Sequence, residues 1–285
     1  MPSARFALFT LNVLFALDVA ASAQDIAETR SPDVLRVIEL GGAARQDSLR
    51  LVLTHPRNHW FIFYRSVFYY EARLRPALRG LVQDPTAGIL AADLLTLVGE
   101  SDDLEFMIQH PPKAKRSFDS TRWAYGVACS LLDASTEVEW SFLRNSAIGT
   151  YEDGWVDAGA IQTLKLIAST RSRELLEEAQ RRNRPKAREI SRALEYIRSE
   201  PRRLEGPNLE ELAARVAQTI SSEASRSYEK PRYNELGDKA LVAFTHSQGR
   251  DLYFYTATFC KVQNNWRPRS VMLSGQALAL ADPHY

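Results

Sequence analysis

Three features predict a mainly α chain, an α-solenoid of stacked helix pairs, finished by a small C-terminal three-stranded antiparallel sheet (α+β overall). Apolar residues recur at helical spacing from Ser31 to about Glu223. A short pattern returns at intervals of 34 and 35 residues: Leu97-Val98-Gly99-Glu100-Ser101, Leu131-Leu132-Asp133-Ala134-Ser135 and Leu166-Ile167-Ala168-Ser169-Thr170. Runs rich in β-branched and aromatic residues are concentrated after residue 238. One helix pair cannot cover its own apolar face, so repetition at this interval implies that neighbouring pairs stack.

The first helix opens at Ser31-Pro32-Asp33, with a capping serine, proline at the first helical position and an acid at the positive end. Val34, Leu35, Val37, Ile38 and Leu40 form its apolar face, and Gly41-Gly42 stops it. A second helix spans Asp47 to Leu53. The aromatic run Trp60–Tyr70 has strand-like composition but continues into EARLRPALRGLV, where Leu74, Leu78 and Leu81 share a face. It reads as helix, with Pro76 kinking it or beginning a new one.

From Leu78 one helix ends at Gln83, Asp84-Pro85 turns the chain, and another carries Ile89, Leu90, Leu94, Leu95, Leu97 and Val98 to Gly99. Ser101 then caps a further helix, with Asp102 and Asp103 near its positive end. Apolar helices precede the later copies of the pattern (Trp123–Leu132, Trp155–Ile167), and charged amphipathic ones follow (Glu137–Leu143, Arg173–Ala179). Pro185–Ser199 is a weaker unit, and Asn208-Leu209-Glu210-Glu211 is a capping box for a helix to about Ile220. Helix, Asp-Pro turn, helix with the Ala91-Ala92 pair, glycine and acidic turn: this order resembles a HEAT-type repeat over about residues 74–199. The resemblance implies a helical surface able to hold a protein or peptide partner. Tetratricopeptide repeats share the period, but their Trp-Leu-Gly-Tyr spacing is absent.

The polar stretch at 224–237 reads as a connector to a β module at 238–285. Its strands are Ala240–His246, Asp251–Val262 and Trp266–Leu273, joined by Ser247-Gln248-Gly249-Arg250 and Gln263-Asn264-Asn265. Asn and Gly supply the positive φ of such turns, and Pro268 places the last strand on an edge. TATFCKVQNNWRPRSVML resembles the last hairpin of nuclear transport factor 2-like domains, which implies a pocket over a curved sheet, although barely one helix precedes it here. The sheet is expected to cover the open apolar end of the helix stack.

Residues 1–23 have the order of a secretory signal peptide: Arg5, the apolar run Phe6–Leu17, then Ala21-Ser22-Ala23 before Gln24. The expected mature protein is exported, periplasmic or extracellular, with a helical repeat domain at 24–223. That apolar run is short of the about 20 residues a membrane span needs. A formal net charge of +1 gives no field to attract nucleic acid or a membrane surface. The sequence leaves open whether Cys129 and Cys260 pair.

No catalytic constellation stands out. His55 and His59 have the spacing of helical metal ligands, but Pro56 follows the first and no glutamate lies between them, so no metal is expected. There is no Gly-x-Ser-x-Gly elbow and no glycine-rich phosphate loop, and no cofactor is expected. Asp102-Asp103 and Glu152-Asp153 read as helix-opening acids rather than acid–base pairs. The basic cluster Arg181–Arg188 is offset by Glu177, Glu178 and Glu189 and reads as a solvated helix end. Trp123, Trp140 and Trp155 read as core. The leading expectation is a non-enzymatic binding or scaffold protein. The alternative is a small-molecule-binding or enzymatic module using Tyr253, Tyr255, Trp266 and Arg269 in a sheet pocket.

Overall fold

The computed structural model describes residues 31–54, 60–113, 117–149, 154–182, 184–199, 204–220, 226–248 and 251–278. The signal segment, His55, His59, Glu152-Asp153, Asn183, Gly249-Arg250 and His284 lie outside the described residues. The protein is mainly helical. Its helices are α1 (Pro32–Glu39), α2 (Gly42–Thr54), α3 (Trp60–Tyr69), α4 (Glu71–Leu81), α5 (Gly88–Val98), α6 (Ser101–Gln109), α7 (Ser117–Cys129), α8 (Glu137–Ile148), α9 (Trp155–Ile167), α10 (Thr170–Arg182), α11 (Ala187–Ser199) and α12 (Leu209–Ile220).

The packing alternates. α1 packs on α3, α3 on α5, α5 on α7, α7 on α9 and α9 on α11. In a second row α2 packs on α4, α6 on α8 and α8 on α10. Arg75 and Arg79 of α4 reach Asp103 of α6 at 3.2 Å, which links the second row where its helices touch least.

Residues 34 or 35 apart in sequence touch in space. Inside, the Ser130 hydroxyl donates to the Thr96 carbonyl at 2.8 Å, and the Thr163 hydroxyl donates to the Ala128 carbonyl at 2.8 Å. Outside, Arg50 meets Asp84 at 2.7 Å, and Arg144 and Arg171 grip Glu178 and Glu137 through two bonds each. The interval read in the sequence is thus a contact between successive helix pairs.

Helices α6, α8 and α10 begin alike. The side chain of Asp103, Glu139 or Ser172 accepts from the backbone N–H three residues earlier, at Glu100, Thr136 and Ser169. The Asp84 carboxylate similarly accepts from the N–H groups of Thr86 and Ala87, which makes the Asp-Pro turn. Two boundaries differ from expectation. The aromatic helix ends at Tyr70, where ψ is 25°, and Pro76 lies inside α4 instead of marking the break. α2 starts at Gly42, earlier than Asp47, because Gly42 adopts φ +51° and lets α1 turn directly into α2.

Four strands run in the order β1 (Arg226–Tyr228), β3 (Lys239–Gln248), β4 (Asp251–Val262), β5 (Asn265–Leu278), all antiparallel. The two-residue β2 (Arg232–Tyr233) pairs with β3 as well. The expected three strands are therefore too few: the stretch read as a connector supplies two short ones, whose backbone N–H and C=O groups pair with the otherwise free edge of β3. β5 is an edge strand, as Pro268 requires. Gln263 and Asn264 both have positive φ, 49° and 69°, as a two-residue hairpin turn demands.

Alternation along β3 buries Ala240, Val242 and Phe244 with Leu209, Leu212, Ala213 and Val216 of α12. Leu241, facing the other way, packs on the helical core, as does Met272. The sheet does not sit over the open end of the helix rows. It lies against the turns that join α3 to α4, α5 to α6 and α7 to α8, held by groups described next.

Candidate functional site

Three turns of the helical part each offer a carboxylate: Glu71, Glu100 and Asp133. Two cations of the sheet meet them. Lys239 Nζ lies 2.7 Å from Glu71 Oε2 and also contacts Glu100. Arg269 Nη1 lies 3.4 Å from Glu100 Oε2 and 3.3 Å from Asp133 Oδ2. Arg75 approaches Glu100 at 3.0 Å, and Asn234 donates to Glu71 at 3.3 Å. Lys239 and Arg269 are only 8% and 6% exposed, so both charges depend on these partners.

A β-bulge explains how Arg269 arrives there. The register steps from Thr258↔Ser270 to Phe259↔Pro268, which leaves Arg269 as the extra residue. A bulge re-aims its residue away from the regular alternation. Arg269 Nη2 and Asp133 Oδ1 are buried without a hydrogen-bond partner among the described residues.

Electrostatics separate the acids. Burial pushes Glu100 up, but Lys239, Arg269 and Arg75 outweigh it and hold the carboxyl below its usual range. For Asp133 burial wins over the Arg269 guanidinium, and the carboxyl is raised. By linkage, the Asp133 contribution favours the folded state as pH falls, while that of Glu100 is lost only as pH falls through its depressed value.

The four residues expected to line a sheet pocket do not gather round one cavity. Tyr255 stacks flat on Phe244, centroids 5.3 Å apart and planes 8° apart, against the α12 core. Tyr253 neighbours it on β4, where burial of Tyr255 and the nearby Tyr253 push the Tyr255 hydroxyl to about 12. Trp266 lies at the far end of the β4–β5 hairpin, its ring 6.0 Å from Tyr233. There it borders an open groove of about 470 Å³ with Pro207, Asn208, Leu209 and Glu210. Tyr233, Leu236 and Val262, at the same end of the sheet, are 48%, 67% and 37% exposed. Arg269 belongs to the ionic cluster.

No reactive thiol is present. Neither cysteine is in a disulfide. Burial pushes the Cys129 thiol to about 12, and burial also raises Cys260 beside Arg269, Asp133 and Glu100. With such a value only about one Cys129 in ten thousand is thiolate at pH 8. Ellman's reagent is expected to titrate Cys260 alone, and slowly, in the folded protein, and both thiols in denaturant. Rapid reaction of two thiols without denaturant contradicts this burial.

Among the described residues no group of His, Cys, Asp and Glu could hold a metal ion. No described helix is long and apolar enough to cross a membrane. Set against family models, curated proteins and solved structures, the chain matches none. The ionic cluster was not legible beforehand except for Arg269, because its members are scattered from Glu71 to Arg269. The only local signal was an acid in successive turns.

Proposed function

We propose that this is an exported, non-enzymatic scaffold whose helices form a HEAT-like α-solenoid and whose surface engages a protein or peptide partner. The observation that supports the reading is the alternation of two helix rows tied by contacts 34 and 35 residues apart. Stacked pairs of this kind create extended surfaces suited to macromolecular partners rather than enclosed sites for small ones. α12 fills one face of the sheet with Leu212, Ala213 and Val216, where a ligand pocket would need space. Beside the helical surface, the exposed Tyr233, Leu236 and Val262 next to the Trp266 groove offer the same partner a further apolar contact on the sheet.

The test uses a photo-crosslinking amino acid at position 236, with position 51 as a similarly exposed control on α2. In the native compartment, one protein adduct is expected from 236, absent from 51, and lost when Tyr233→Asp is added. Adducts that are identical at both positions, or absent from both, contradict the reading. N-terminal sequencing of the same material is expected to begin at Gln24, and retention of Met1 contradicts cleavage after Ala23.

A further inference from the structure

The buried apolar side chains fall into two clusters, not one. The first runs through the helices from Val34 to Ile197. The second joins α12 to the sheet. Few apolar groups cross between them: Leu241 and Met272 reach into the first, while Leu132 and Leu166 reach into the second. Charge dominates the seam instead. Lys239 pairs with Glu71 and Glu100, Arg269 with Glu100 and Asp133, and Arg73 with Glu235 at 2.6 Å. We propose that this seam is an ionic joint, at which the unit of α12 and the sheet undocks from the helical part as a folded body.

The physical ground is the contrast between the two kinds of contact. Each unit keeps its own apolar core when they part, and a polar boundary is where units of one chain move relative to each other. Separation lets water solvate Glu71, Glu100, Asp133, Lys239 and Arg269 again, which offsets the lost pairing. Added salt favours the open form, since it screens charges once they meet solvent. Arg269 Nη2 and Asp133 Oδ1 regain hydrogen bonds on opening, which removes a cost carried by the docked state.

Two amides report docking directly. The Glu235 N–H donates to the Tyr69 carbonyl at 2.9 Å, and the Leu273 N–H donates to the Tyr125 hydroxyl oxygen at 2.9 Å. Both donors belong to the sheet unit and both acceptors to the helical part. In residue-resolved hydrogen exchange on the full chain, raising NaCl from about 0.05 to 1 M should speed these two amides about tenfold. The β3–β4 ladder and the Ala91 amide of α5 should keep their rates. Arg269→Met should speed the two reporters already at low salt and flatten their salt response. Salt-independent reporters, or reporters that exchange in step with the β3–β4 ladder, overturn the joint. If Arg269→Met does not fold, the salt series on the unaltered chain decides alone.

Discussion

Lys239→Met is expected to lower the stability of the protein by about 3–5 kcal/mol, the usual cost of removing one partner from a buried pair. The ammonium lies between Glu71, almost wholly buried, and Glu100, which is about one-third exposed. Without it Glu71 keeps, among the described residues, the Asn234 amide at 3.3 Å, and a buried carboxylate with so little neutral donation is severely under-solvated. Adding Glu71→Gln to Lys239→Met should recover most of the loss, because the stranded charge is then gone. Glu100 can turn toward solvent and needs no second change. Urea unfolding at constant slope measures both variants. A loss below about 1 kcal/mol for the single change would place this pair among ordinary surface ion pairs. The exposed Arg171–Glu137 contact between α10 and α8 is such a pair, and its removal should matter far less.

That difference also explains what could be read from the sequence. The repeat interval was visible because it is written in local signals: apolar stripes, Gly99, the Asp84-Pro85 turn and the caps that follow. Helix α9 spans Trp155–Ile167 as its periodicity indicates, and β4 spans Asp251–Val262. Pro268 announced an edge strand through its missing N–H. Tyr70 was not visible as a break, since Pro76 is the stronger signal and nothing local outranks it. The two short strands beside β3 were invisible because a strand of two or three residues forms only when an edge is already there to receive it. The seat of the sheet was the largest miss. Covering an open end is a rule about apolar surface, but this sheet is drawn to the turns by Glu71, Glu100 and Asp133, of which Glu100 and Asp133 show in the sequence only as members of the repeated pattern. Arg269 was singled out for a pocket and instead works through a bulge, a feature of register that no single strand displays.

Gly159→Ala should destabilise the protein by up to about 2 kcal/mol, against the sign that helix propensity alone predicts. In the interior of α9 alanine should gain up to about 1 kcal/mol over glycine. Space decides otherwise. A Cβ at this position would lie 2.9 Å from Cδ2 and Cε2 of Tyr125 and 3.0 Å from Sγ of Cys129. The ring cannot swing aside cheaply. It packs edge-on against Trp155, centroids 5.7 Å apart, and its hydroxyl accepts from the Leu273 amide. α7 and α9 must therefore separate, and overpacking of this kind costs about 1–3 kcal/mol before the propensity gain is subtracted. Gly159→Val, with two more carbons and no propensity gain to match, should cost about 3 kcal/mol or more. Because Tyr125 links the α7–α9 contact to β5, both variants should also speed exchange of the Leu273 amide beyond what their global stability accounts for. A variant Gly159→Ala that melts above the parent would show that α7 and α9 are not held in this close contact, and the row of odd-numbered helices would lose its tightest step.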